Sequence, residues 1–193
     1  MPRIQRDSLL TLEAYARERN AFRSRVIEHK KARTVHLGEH LTLVFEDELT
    51  IRYQVQEMLR IERLFEEEDI QAELDVYNPL IPDGTNLKAT LMIEYDDPAE
   101  RRMRLVELRG IEDRVWVQVE GGERVYAIAD EDLERETDEK TSAVHFLRFE
   151  LSEADRRALK AGAGLTIGVD HPHYRAVTEV SAETRAALAA DLA

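Results

Sequence analysis

Strand-like and helix-like segments follow one another along this chain without the regular strand–helix–strand order of a parallel sheet. Apolar residues occupy every second position over 87–95, which predicts a strand. They recur every three or four positions over 48–68, which predicts a long helix ending in the acidic run 66–69. Further strand patterns lie at 34–37, 41–45, 115–119, 125–129, 144–151 and 165–169. This order predicts an α+β fold with one long central helix, a mainly antiparallel sheet and short peripheral helices.

An N-terminal helical segment, residues 1–33, is predicted to precede an α+β body, residues 34–193. Asp7 or Ser8 is a suitable N-cap, and Asn20 is the expected break in a helical arm or hairpin. The segment has a net charge of +5 and the body −18, which together give the −13 of the whole chain. A body with this much negative charge repels the phosphates of nucleic acids, so nucleic-acid binding is disfavoured. We therefore expect the basic segment to dock on this body, as one compact unit, or on that of a second copy.

The chain contains no cysteine, which excludes a thiol nucleophile, a thiolate zinc site and ligation of an iron–sulfur cluster by its own residues. Phosphate-loop, dinucleotide-binding, nucleophile-elbow and H-E-x-x-H motifs are also absent. The apolar runs are far shorter than the roughly 20 residues of a membrane-spanning helix. We therefore expect a cytoplasmic protein without a membrane segment. A non-enzymatic role is favoured, and no cofactor is predicted apart from a candidate divalent metal.

The run His36-Leu37-Gly38-Glu39-His40 matches the H-x-x-E-H pattern of inverted zinc peptidases. That chemistry requires both histidines on one face of a helix. Here a glycine lies in the middle and β-forming residues flank both sides. The run is therefore predicted to be a turn between two strands.

The densest group of candidate metal ligands is Asp170, His171 and His173, which follow a predicted strand. A His-x-His pair with a nearby carboxylate can hold a divalent metal. The alternative is that these residues form an exposed loop with no ligand. Both interpretations remain open at the level of sequence.

A candidate buried polar network comprises Glu57, Arg60, Glu62, Arg63 and His145. Glu62 has apolar residues, including Met58 and Phe65, three and four positions away on the long helix. We therefore predict that Glu62 is buried and held by an arginine. His145 lies on the apolar face of its strand and is predicted to be a buried histidine with a satisfied partner.

Three stretches, 57–95, 110–151 and the GVDHPHY run at 168–174, resemble the bacterial family listed as domain of unknown function 3501. The resemblance implies genes often found beside those of rubrerythrin-like proteins and cysteine-rich iron–sulfur oxidoreductases. It therefore implies a role near peroxide defence or electron transfer. The leading hypothesis is a non-catalytic accessory protein that binds a protein partner or a second copy, in an oxidative-stress or redox system. The alternative is a metal-binding protein or metal-dependent enzyme that uses Asp170, His171 and His173.

Overall fold

The computed structural model describes residues 3–132, 135–137 and 139–193, and in them it confirms an α+β fold. The α-helices are α1 Leu12–Lys31, α2 Glu48–Glu62, α3 Glu67–Tyr77, α4 Pro98–Glu107, α5 Glu153–Lys160 and α6 Ala182–Ala189. The strands are β1 Thr34–Leu37, β2 Leu41–Phe45, β3 Asn86–Ile93, β4 Val115–Val119, β5 Arg124–Tyr126, β6 Ile128–Ala129, β7 Val144–Glu150, β8 Leu165–His171 and β9 Tyr174–Glu179. No helix among the described residues combines the length and apolarity needed to cross a membrane.

Every strand pairing is antiparallel, but the strands form two sheets and not one. The first has the order β1-β2-β3-β7-β6 and the second the order β5-β4-β8-β9. The chain passes from the second sheet to the first at Ala127, between β5 and β6. At the other side, the Tyr174 hydroxyl donates to the Leu37 carbonyl at 2.5 Å, and Thr178 donates to the His36 carbonyl at 2.8 Å. Both sheets contribute to one apolar core.

Alternation along the strands explains this core, because successive side chains of a strand point to opposite faces. Leu87 and Leu91 of β3 are fully buried, as are Leu165 and Ile167 of β8. A second apolar cluster forms where α2 and α3 pack with the residues that precede α1, and it includes Val55. α2, α3 and the residues before α1 therefore form a helical layer with its own core beside the sheets, whereas α4, α5 and α6 pack on the core of the sheets.

The predicted central helix is two helices. α2 ends at Glu62, and Arg63 adopts the left-handed conformation with φ of 55°. The acids at 67–69 do not end a helix; they form the first turn of α3. Negative side chains in a first turn interact favourably with the partial positive charge of a helix N-terminus. These acids would be unfavourable at the end of a helix and are favourable here at the start of one.

The predicted break at Asn20 is wrong, since α1 is a single helix whose N-cap is Thr11. Asn20 is exposed, and a single polar residue costs a helix little when apolar residues on the other face keep packing. Phe22, which follows it, contacts the rings of Tyr15 and Tyr53. Packing on α2 therefore outweighs the local preference of Asn20.

Three arginines of the basic N-terminal segment form ion pairs with acidic residues of the body. Arg6 pairs with Glu67 at 2.9 Å, and Arg19 pairs with Glu57 at 2.7 Å. Arg33, which is almost fully buried, pairs with Asp191 near the C-terminus. The charge asymmetry of the chain is thus partly neutralised within the molecule.

Candidate metal centre

The structure does not bring Asp170, His171 and His173 into one site. Neighbouring residues of β8 point to opposite faces, so the Asp170 carboxylate turns away from the His171 ring. Asp170 accepts a hydrogen bond from Tyr126 at 2.6 Å and pairs with Arg114 at 2.8 Å. The predicted loop is a tight hairpin between β8 and β9.

Both ring nitrogens of His171 have partners. Nε2 donates to the backbone carbonyl of Arg109 at 2.8 Å, and Nδ1 accepts from the backbone amide of His173 at 3.2 Å. These two bonds suit a neutral imidazole with its proton on Nε2. His171 therefore has a structural role in the hairpin, and the geometry gives no support to a metal on the predicted residues.

The H-x-x-E-H run forms the predicted turn. It connects β1 to β2, with Gly38 in the left-handed region at φ of 68°. A Cβ on Gly38 would lie 2.5 Å from the Tyr174 hydroxyl, so the turn also needs glycine for space.

The buried polar network on α2 centres on Glu57. Its carboxylate accepts hydrogen bonds from Tyr15 and from Arg19, each at 2.7 Å, and from Arg60 at 2.9 Å. The prediction for Glu62 is wrong, because α2 ends at this residue and its side chain is exposed. Phe65, which was expected to shield Glu62, lies beyond the helix and is itself 70% exposed.

Arg63, the remaining member of the predicted network, is exposed as well. Its left-handed conformation ends α2 and directs the chain into α3. The network therefore contains Glu57 and Arg60 of the five predicted residues. His145 is buried as predicted, but it belongs to a different cluster.

His145 of β7 is fully buried between two carboxylates, those of Glu112 and Asp130. Its Nδ1 lies 2.5 Å from Asp130 Oδ2, and its Nε2 lies 3.8 Å from Glu112 Oε2. Nε2 also lies 2.8 Å from the Thr141 hydroxyl and 3.0 Å from the Ser142 carbonyl. One donor atom from each of the three ionisable residues falls within 4.8 Å of the others. We call these three residues the His145 cluster.

Local backbone structure positions each carboxylate of the His145 cluster. Glu112 lies in the short 3-10 helix Ile111–Arg114, which begins after Gly110 with φ of 76°. Asp130 follows β6 in the left-handed region at φ of 49°. Its backbone amide donates to the Phe146 carbonyl at 2.9 Å, and its carboxylate accepts from the Phe146 amide at 3.0 Å. An aspartate tolerates this conformation better than most residues, and the paired bonds fix it beside β7.

The cluster lies at the base of an open cleft of about 270 Å³. The cleft is lined by Glu112, Asp113, Ala129, Asp130, Arg135 and Glu136. Arg135 pairs with Asp132 at 2.8 Å and with Asp130 at 3.4 Å. Carboxylates thus outnumber the basic groups that line the cleft.

The ionisation of these groups reflects burial and crowding. Burial lowers the pKa of His145, but the hydrogen bond that His145 donates to Asp130 and the negative charge of Glu112 outweigh burial, so the pKa is raised. Burial also raises the pKa of Glu112. The pKa of Asp113 is raised by burial and by the nearby negative charges of Glu136 and Asp130. Raised pKa values mean that these groups hold protons more tightly than usual, and a metal that binds them competes with those protons.

Two carboxylate oxygens and an imidazole nitrogen form a donor set suited to Mn²⁺, Fe²⁺ or Zn²⁺, provided that the metal displaces the proton that a ring nitrogen of His145 shares with Asp130 or with the Ser142 carbonyl. The sequence predicted the burial of His145 but not its partners. The spacing of Glu112, Asp130 and His145 in the sequence matches no ligand motif. Glu112 lies in a 3-10 helix, Asp130 directly follows β6, and His145 lies in β7. Only the packing of the 3-10 helix against the end of β6 and against β7 brings them together.

Comparisons with known proteins agree with the resemblance found in the sequence. The model of a family described as protein of unknown function (DUF3501) matches residues 3–192. The chain is also similar to a novel protein of unknown function from Burkholderia pseudomallei whose crystal structure is known. The two sequences are 60% identical, the match covers 100% of each chain, and the TM-score is 0.95. A search of curated proteins found no match.

Proposed function

The chain belongs to the DUF3501 family of proteins of unknown function, and from the geometry of the His145 cluster we propose that it is a divalent-cation-binding protein. The observation that carries the proposal is the meeting of Glu112, Asp130 and His145 donor atoms within 4.8 Å at the base of a cleft. Buried carboxylates in excess of buried cations are costly unless a cation or a proton compensates them. A divalent ion would neutralise both carboxylates at once.

The cleft gives such an ion a route from solvent and leaves room for water ligands. Three protein ligands with an open position are typical of catalytic and exchangeable sites, whereas structural zinc sites are closed. We therefore expect exchangeable binding. The donor set of oxygen and nitrogen atoms favours manganese, iron or zinc, and no reaction is assigned to the bound ion.

Titration of metal-free protein, purified without a histidine tag, tests the proposal. We expect about one Mn²⁺, Fe²⁺ or Zn²⁺ per chain by calorimetry and elemental analysis, with proton release on binding. Glu112→Gln and Asp130→Asn should each weaken binding at least tenfold. The matched control is Asp170→Asn, which removes a carboxylate from the predicted but unassembled trio and should leave affinity unchanged. Uptake below about 0.1 ion per chain for all three metals would reject the proposal.

The accessory role predicted from the sequence is a second candidate, favoured by exposed apolar side chains at the corner between α2 and α3. Ile61 is 60% exposed and Phe65 is 70% exposed. They lie at and beyond the end of α2, and Phe65 lines a cleft of about 340 Å³ with Leu12 and Leu64. Exposed apolar patches often mark sites of protein contact. The link to an oxidative-stress system and the cytoplasmic location rest on sequence reasoning and remain proposals.

Native co-purification tests the accessory role. A rubrerythrin-like or iron–sulfur protein should copurify with the wild-type chain and be lost from Phe65→Glu, whose surface position makes misfolding unexpected. Phe65→Glu should bind metal normally. Equal recovery of that partner with both chains would rule out this surface, and its absence from both would count against the accessory role.

A further inference from the structure

A cleft of about 250 Å³ separates the outer face of the five-stranded sheet from the helical layer. Alternation along β3 and β7 directs Leu91 and Leu147 into the core, so Met92 and Phe146 face outwards into the cleft. The apolar part of its lining consists of Val44, Ile51, Leu80, Met92, Val144 and Phe146. An adjoining cleft of about 260 Å³ shares Glu46, Leu80 and Phe146 with it. This volume is somewhat below the roughly 300–1,000 Å³ of pockets for drug-sized ligands, which suits a ligand of amino-acid size.

Glu46 places a carboxylate in this apolar cleft. Thr90 donates a hydrogen bond to Oε1 at 2.7 Å, and Thr50 donates one to Oε2. These two neutral donors fix the carboxylate group but leave its charge uncompensated. In the part of the chain that the structure describes, Glu46 takes part in no ion pair. Each oxygen retains capacity to accept a further hydrogen bond.

Lys30, in the last turn of α1, lines the same cleft. Across residues 3–132, 135–137 and 139–193 its ammonium group has neither an ion pair nor a side-chain hydrogen bond. Glu46 and Lys30 therefore share a cleft without pairing with each other. Gln54 adds a neutral donor and acceptor to the lining.

We propose that this cleft binds a small zwitterion with an apolar side chain, of the α-amino-acid class. The ligand ammonium would pair with Glu46, its carboxylate with Lys30, and its side chain would pack on Met92 and Phe146. A purely apolar ligand would bury both charges without partners, which is unfavourable. A purely ionic ligand would leave the apolar floor unused. His145 and Phe146 are neighbours on β7 and point to opposite faces, so this site uses different binding groups from the proposed metal centre, although Arg135 contacts both the Phe146 ring and Asp130.

Calorimetry or NMR titration with L-leucine, L-methionine and L-phenylalanine tests the assignment on the full chain. Phenethylamine and 3-phenylpropionate are matched probes that each lack one charge of phenylalanine. We expect at least one amino acid to bind, and the single-charge probe of the same shape to bind at least tenfold more weakly, because one charge in the cleft would then lose its partner. Phenethylamine or phenylpropionate binding as tightly as phenylalanine would overturn the zwitterion.

Two variants locate the site. Glu46→Gln retains the shape and one of the two accepted threonine hydrogen bonds, and Lys30→Met retains the aliphatic stem. Each should weaken amino-acid binding at least tenfold. Lys31→Met is the matched control, because Lys31 is exposed and pairs with Glu28 on α1. Metal uptake should be unchanged in all three, which separates this outcome from that of the metal proposal. No binding of any of the three amino acids at about 10 mM, a concentration that detects interactions of about −3 kcal/mol, would overturn the inference.

Discussion

Two buried acidic sites in this molecule, Glu57 on α2 and the His145 cluster beside β7, differ in how completely their charge is compensated. Glu57 faces two guanidinium groups and a phenol. Burial opposes its ionisation, yet hydrogen bonds from Arg19, Arg60 and Tyr15 outweigh burial and lower its pKa to about 2. The Glu57 site is a closed ion-pair network that needs no external ligand.

The His145 cluster has the opposite balance, with two carboxylates around a single imidazole. Here burial raises the pKa of Glu112, and the positive charge of His145 does not reverse the shift. Burial alone therefore does not distinguish a structural site from a binding site. What distinguishes them is the balance of charge nearby. Two guanidinium groups share one carboxylate at Glu57, whereas His145 and Arg135 face four carboxylates around the cleft, those of Glu112, Asp113, Asp130 and Glu136.

Removing the Glu57 carboxylate should give the largest effect on stability. Glu57→Ala leaves Arg19 and Arg60 without their shared acid and Tyr15 without its acceptor, so we expect a loss of about 2–4 kcal/mol. Partial exposure of both arginines keeps the loss below that of a fully buried pair. Urea unfolding of Glu57→Ala measures it, with Glu57→Gln expected to lose less. A wild-type midpoint for Glu57→Ala would show that the network contributes nothing.

Acid should remove the same stabilisation. The folded-state pKa of Glu57, about 2, lies below its ordinary value of 4.5, so its contribution is present above pH 4.5 and lost as pH falls towards 2. The stability difference between wild type and Glu57→Gln should therefore shrink by about 2–3 kcal/mol over this range. Unfolding curves of both proteins at several pH values measure the difference. A constant difference would contradict the depressed pKa.

The sequence predicted the strands around Gly38, the β3 strand and the β7 strand closely, because each has strict alternation or a glycine at its turn. It missed β9 because Pro172 and two histidines resemble a loop. It also extended α2 through Glu68, since helical periodicity continues past Arg63, where the chain turns. Sequence periodicity predicts which residues can be helical, but the residue at which a helix ends also depends on tertiary packing.

Site residues were harder to predict than strands. His145 could be placed in the core from its strand face, whereas Glu112 and Asp130 are 33 and 15 positions before it and share no motif with it. Conversely, Asp170 and His171 are adjacent in sequence and separated by the pleat of β8. Convergence of ligands depends on which turns and strand ends meet, which composition and spacing do not encode.

Glu112→Gln should have a smaller effect on stability than Glu57→Ala, and it should stabilise the protein where Glu57→Ala destabilises it. Because the folded-state pKa of Glu112 is raised, its ionised form destabilises the metal-free protein at neutral pH. Glu112→Gln should therefore match wild type or exceed it by less than about 1 kcal/mol. Added Mn²⁺ should raise the melting temperature of wild type and not of Glu112→Gln. A marked destabilisation of metal-free Glu112→Gln would place the cluster in the same class as Glu57.

The smallest effect is expected at Glu62, five residues after Glu57 on the same helix. Glu62 is exposed at the end of α2, where water solvates its carboxylate and no described residue forms an ion pair with it. Glu62→Ala should alter stability by less than about 0.5 kcal/mol, as surface substitutions usually do. It should even be slightly favourable, because an acid in the last turn opposes the helix dipole. Parallel urea unfolding of Glu57→Ala and Glu62→Ala compares two acids on the same helix. A loss at Glu62 comparable to that at Glu57 would mean that an interaction outside the folded chain, such as a subunit interface, buries Glu62.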